Sequence, residues 1–121
     1  MRRWAGEDGY NPGIVRCLAV CQTELVVRLL EAVLAPSAEL DVLVDSRALA
    51  RKFEHSDVAV TVDEVTRIDS YVKLNVSPVT PVIIEDNKRR GLRKVIEAVR
   101  SAGGSLVYVL GTSLEDVERA E

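Results

Sequence analysis

The chain has no G-x-S-x-G elbow, no P-loop and no H-E-x-x-H, so the commonest signatures of acyl transfer, nucleotide hydrolysis and zinc proteolysis are missing. It has no apolar run of 18 residues, which excludes a membrane-spanning helix from the sequence. It has no basic excess: 16 Lys and Arg stand against 19 Asp and Glu, a net charge of −3. A broad electrostatic footprint for nucleic acid is therefore lacking. Histidine occurs once, at His55 between Glu54 and Ser56, and no acid–base partner can be placed beside it. The start, Met1 to Pro12, lacks the apolar stretch of a signal peptide. These features lead us to expect a cytoplasmic protein with a short leader over residues 1–13 and one domain over 14–121. A chain of 121 residues with 47% hydrophobic and 29% charged residues has the balance of one ordinary globular domain.

Aromatic residues are only 4%, while valine is abundant, so the core is expected to be β-branched aliphatic and rich in strands. Arginine dominates the basic residues, a bias that hints at a heat-adapted source. The two cysteines, Cys17 and Cys21, share one apolar segment. At strand rise their Cα atoms would lie about 13 Å apart on the same side, too far for a disulfide. They are read as buried free thiols, because a C-x-x-x-C pair without histidine partners is not a zinc site.

From Ile14 onward, apolar runs of strand length alternate with helical stretches. Ile14–Cys21 is the first strand. Glu24–Leu34 carries Leu25, Val26, Leu29, Leu30, Val33 and Leu34 at helical spacing, and Pro36 stops it. Leu40–Val44 is the second strand, with a short helix near Arg47–Phe53; Asp57–Val62 is the third. Pro81–Ile84 is the fourth, Pro81 being permitted at its first residue. Asn87 can cap a helix with Leu92, Val95, Ile96 and Val99 on one face, and Gly103-Gly104 supply its left-handed stop. Leu106–Leu110 is the fifth strand, and Thr112 and Ser113 open a last helix at capping-box spacing. Between Asp63 and Thr80 the sequence is ambiguous. Val72, Leu74 and Val76 alternate as in a strand, but a crossover between parallel strands favours a helix, which is the reading adopted. The pattern predicts an α/β, three-layer Rossmann-like domain with a five-stranded, mainly parallel sheet. Strand orders 3-2-1-4-5 and 2-1-3-4-5 both remain open.

In such a sheet a ligand sits outside the carboxyl ends of the strands. The residues there are Cys21, Gln22 and Thr23, then Asp45 and Ser46, Asp63 and Glu64, Glu85, Asp86 and Asn87, and Gly111 to Ser113. The turn after the first strand reads C-Q-T-E-L-V and contains none of the glycines that let a backbone approach a pyrophosphate. Thr23 and Gln22 still offer a hydroxyl and an amide. Asp45 stands where a ribose hydroxyl would be held. Asp45, Asp63, Glu64, Glu85 and Asp86 would suit magnesium if they converged, although acids at strand ends also cap helices or face water. Lys88, Arg89, Arg90, Arg93 and Lys94 form a basic cluster, read as a solvated helix face.

The order of parts over residues 14–121 resembles the TrkA N-terminal domain, also called RCK, the regulator of potassium conductance. In that family the second strand ends in an acid, as VLVDS does here. The third ends in a glycine-aspartate pair, which VDEVT at Val62–Thr66 resembles without the glycine. The fourth has a polar end, similar to IIEDN, and GTSLEDVERAE looks like the family's acidic loop and final helix. The resemblance implies a nucleotide or small-molecule ligand, with Asp45 and Asp63 carried over as contacts. It also implies a homodimer or a subunit of a larger assembly, such as one that meets a membrane transporter. The family's glycine fingerprint does not carry over. The expectation is thus a non-catalytic regulatory or interaction domain with a degenerate nucleotide crevice. Cys21, Gln22, Thr23, Asp45, Ser46, Asp63 and Asp86 are its binding candidates, and the sequence names no cofactor. The alternative is a small magnesium-dependent, phosphate-handling enzyme using the strand-end carboxylates.

Overall fold

A computed structural model describes residues 15–34, 37–86 and 91–111. Five strands alternate with four helices: β1 (Val15–Val20), α1 (Glu24–Leu34), β2 (Ala38–Val44), α2 (Arg47–Arg51), β3 (Ala59–Val62), α3 (Ile68–Lys73), β4 (Pro81–Asp86), α4 (Leu92–Ser101) and β5 (Leu106–Gly111). All strand pairs are parallel, in the order β3-β2-β1-β4-β5. The chain therefore winds outward from β1 to β3, crosses back beneath the sheet through α3, and continues from β4 to β5. Of the two open orders, 3-2-1-4-5 is the one adopted.

Alternation along each strand divides the core into two layers. On one face Leu18, Val20, Leu43, Val82 and Ile84 meet Tyr71 of α3 and Val95, Ala98 and Val99 of α4. On the other, Ala19, Cys21, Val42 and Val44 meet Val26, Val27 and Leu30 of α1 and Leu49 of α2. Helices on both faces are what right-handed crossovers produce when the winding direction reverses. The central strands run apolar where both of their faces are covered, over 17–20 of β1, 42–44 of β2 and 82–84 of β4, and Arg16 pairs with Asp41 nearer the amino ends of β1 and β2.

Helix α1 covers the expected span, but the expected stripe is only partly turned inward. Val26 and Leu30 are buried together with Val27, whereas Leu25, Leu29 and Val33 are exposed, because the face that meets the sheet is centred on Val26, Val27 and Leu30. The ambiguous stretch contains a helix. Tyr71 is fully buried and its hydroxyl donates to the Val65 carbonyl, whereas Val72 is exposed. The period-2 pattern at Val72, Leu74 and Val76 is thus incidental. Asn75 ends α3 at φ 59°, a left-handed conformation that asparagine tolerates better than most residues. The structure shortens the expected second helix to Arg47–Arg51 and the third strand to Ala59–Val62. It extends β2 back to Ala38 and β4 on to Asp86. Gly103, at φ 112°, stops α4 as expected. Gly91, at φ 90°, occupies the position before α4 without a side-chain cap. The expected leader, the Pro36 stop, the Asn87 cap and the last helix lie outside the described residues. Among the described residues no helix is long and apolar enough to cross a membrane.

Candidate functional site

The order of strands reverses between β1 and β4, and this is where an open α/β sheet places its ligand. Val20 is in register with Ile84. The next residues, Cys21 and Glu85, therefore stand side by side at the carboxyl end of β1, with Glu85 still paired to Leu110 of β5, next to the turn that leads into α1. Such a helix end carries unpaired backbone N–H groups and a partial positive charge, and in nucleotide carriers a phosphate meets both.

Here the position is taken by a side chain of the protein itself. Glu85 is 2% exposed. Its Oε1 accepts from the Gln22 amide at 2.7 Å and from the Thr23 amide at 3.1 Å. Its Oε2 accepts from the Thr23 hydroxyl at 3.0 Å. The Gln22 side-chain amide donates to the Glu85 carbonyl at 3.1 Å and ties the same two segments together. Every side-chain contact gives the carboxylate a donor, which is what an acceptor-only group needs when it leaves water. The arrangement reproduces the contacts a phosphate would make, with the anion supplied by β4.

The neighbourhood is correspondingly inert. Burial, followed by the Glu85 charge and then Cys17, pushes the Cys21 thiol up to about 12. Burial also raises Cys17. Both cysteines are free and buried, as the sequence led us to expect, and both stay protonated thiols at neutral pH. Glu24, the first residue of α1, is engaged by cations on the outside of the helix. It pairs with Arg28 at 2.7 Å and Lys52 at 3.2 Å, and hydrogen bonds from these two partners lower its pKa.

The other candidates are distributed along the same edge of the sheet. Ser46 is the N-cap of α2, its hydroxyl accepting from the Leu49 amide at 3.2 Å. Asp63 accepts from the Glu64 amide at 2.8 Å, which holds its carboxyl below the usual range, and lies 3.9 Å from the Lys73 ammonium. Asp45 is exposed at the end of β2, and Asp86 closes β4. Among the described residues, no three His, Cys, Asp or Glu side chains come together to hold a metal ion. The five strand-end carboxylates thus do not form the convergent set that magnesium chemistry requires. Cys21, Gln22, Thr23 and Glu85 are brought together; Asp45, Ser46 and Asp63 are not shown joined to them.

Sequence reasoning counted Glu85 among the strand-end acids and missed its role. Its signal was an acid one residue beyond an apolar run, on the strand that flanks β1 across the switch.

The same sheet also presents an apolar groove of about 370 Å³ on the α1 face, beside β5. Leu30 and Leu34 form one wall, Ile83 the floor, and Tyr108 and Leu110 the other wall. Leu25, Leu29 and Val33 extend this apolar surface along the outside of α1, where they are exposed. No protein-family model, curated protein or solved structure matches the chain.

Proposed function

We propose that this is a non-catalytic Rossmann-type regulatory or interaction domain whose nucleotide crevice is closed by its own Glu85. The observation that carries this reading is the buried carboxylate on the Gln22 and Thr23 amides, in the turn just before α1. A phosphate entering there would have to displace an anion already held by three donors, and the bulky C-Q-T-E turn leaves no glycine for close backbone approach. Among the described residues the strand-end acids do not gather into a metal-binding group, and Asp63 is engaged by the Glu64 amide and Lys73. The domain then works through its surfaces. The apolar groove and the exposed α1 residues support a partner-facing side, and a homodimer would bury it. The resemblance of the sequence motifs to TrkA N-terminal domains agrees with this reading.

A thermal-shift panel of NAD+, NADH, ATP, ADP and AMP tests the reading. It expects no stabilisation below high-micromolar ligand concentrations. A nanomolar dinucleotide complex would end it. Sedimentation of the isolated protein tests the dimer, and a monomer at all accessible concentrations rejects that part alone.

A further inference from the structure

β3 is one edge of the sheet, and its outer side has a distinctive chemistry. The Asp63 amide donates to the Val44 carbonyl at 3.0 Å, so Asp63 and, by alternation, Thr61 and Ala59 turn their backbone groups toward β2. Val60 and Val62 consequently turn their N–H and C=O groups to the open side. The strand itself, Ala-Val-Thr-Val, has no lysine, proline or other charge to discourage pairing.

Beside this edge lies a cavity of about 380 Å³ between α2 and β3. Phe53, Val60 and Val62 give it an apolar base, and Arg47 and Arg51 rise along one side. The two arginines are one helical turn apart, exposed, and in no ion pair among the described residues. Glu54 is the acid on the lining and sits beyond Arg51 in the chain.

We propose that β3 and α2 form a docking site for an extended, acidic peptide segment of a partner protein. The segment adds to the sheet as a sixth strand, hydrogen-bonding through the free backbone groups of Val60 and Val62. Its residues on the α2 face carry carboxylates to Arg47 and Arg51, whose planar guanidiniums suit carboxylate recognition. The aliphatic stems of those same side chains cover Val60 and Val62, while its alternate residues turn to the opposite face of the sheet. A charged residue opposite Glu54 would have to be basic or absent, which sets the register. This edge is separate from the β1–β4 crevice, so nucleotide binding there would leave the proposal standing.

The test is a ¹⁵N chemical-shift titration of the whole protein with a capped peptide of about eight residues alternating glutamate and valine. A peptide alternating lysine and valine serves as control. The expected result is saturable shifts at the Val60 and Val62 amides with the glutamate peptide, about tenfold weaker with the lysine peptide. A surface variant carrying Arg47→Glu and Arg51→Glu should weaken the glutamate peptide about tenfold and reverse the preference. Equal binding of both peptides, shifts that avoid β3, or no shift at millimolar peptide overturns the proposal. So do equal shifts from free glutamate or ATP, which would make the site a small-anion pocket.

Discussion

Four hydrogen bonds join Glu85 to Gln22 and Thr23, and three of them end on its carboxylate. The consequences of replacing it differ by substitution. In Glu85→Gln the amide oxygen can keep the two backbone N–H bonds while its NH₂ group turns to the Thr23 hydroxyl, which can accept. The charge facing the helix N-terminus is lost, and we expect a cost of about 1–2 kcal/mol. In Glu85→Ala two buried amides lose their acceptor and a hole opens, and the cost rises to about 3 kcal/mol. Urea unfolding with an unchanged m-value measures both; a midpoint unmoved by Glu85→Ala would show that the carboxylate holds nothing. The sequence could not show this residue's role. Glu85 and Gln22 are 63 positions apart, and only the β1–β4 register brings them together. Ser46, by contrast, was legible as a residue type that caps helices, and it does cap α2.

At the scale of elements, the turn from α4 into β5 sets how closely that helix lies on the sheet. Gly103 takes the left-handed stop, and Gly104 follows with no room for a side chain. A Cβ on Gly104 would stand 2.6 Å from Val99 Cγ1 and 3.0 Å from Val76 Cγ1. Gly104→Ala should therefore destabilise by about 1–3 kcal/mol through overpacking, read as a lowered thermal midpoint. Gly103→Ala tests a different term, the strain of a positive φ, expected at about 1 kcal/mol. If Gly104→Ala is neutral, the close approach of α4 to the Val76 turn is not a constraint. The elements were legible where a pattern extended over several turns, as in the span of α1, although its apolar spacing did not show that Val27 would be buried and Leu25, Leu29 and Val33 exposed. They were less so between Asp63 and Thr80. There a six-residue helix is too short to show its period, and Tyr71 is buried in the core cluster it shares with Leu18, Leu43 and Val82 of the sheet. Tertiary packing decided what local pattern could not.

For the whole molecule, alternating strands and helices were enough to give an all-parallel sheet with two covered faces. The strand order was not legible, because both doubly wound orders share one sequence pattern. It decides the function proposed here: only with β4 beside β1 does Glu85 reach the Gln22 and Thr23 amides. The most direct measurement follows the Gln22 and Thr23 amide resonances of ¹⁵N-labelled protein during titration with inorganic phosphate and then NADH. With Glu85 in place, both resonances should stay unmoved up to about 10 mM phosphate and show no saturable shift with NADH. A saturable shift of these two amides at micromolar NADH would contradict a closed crevice.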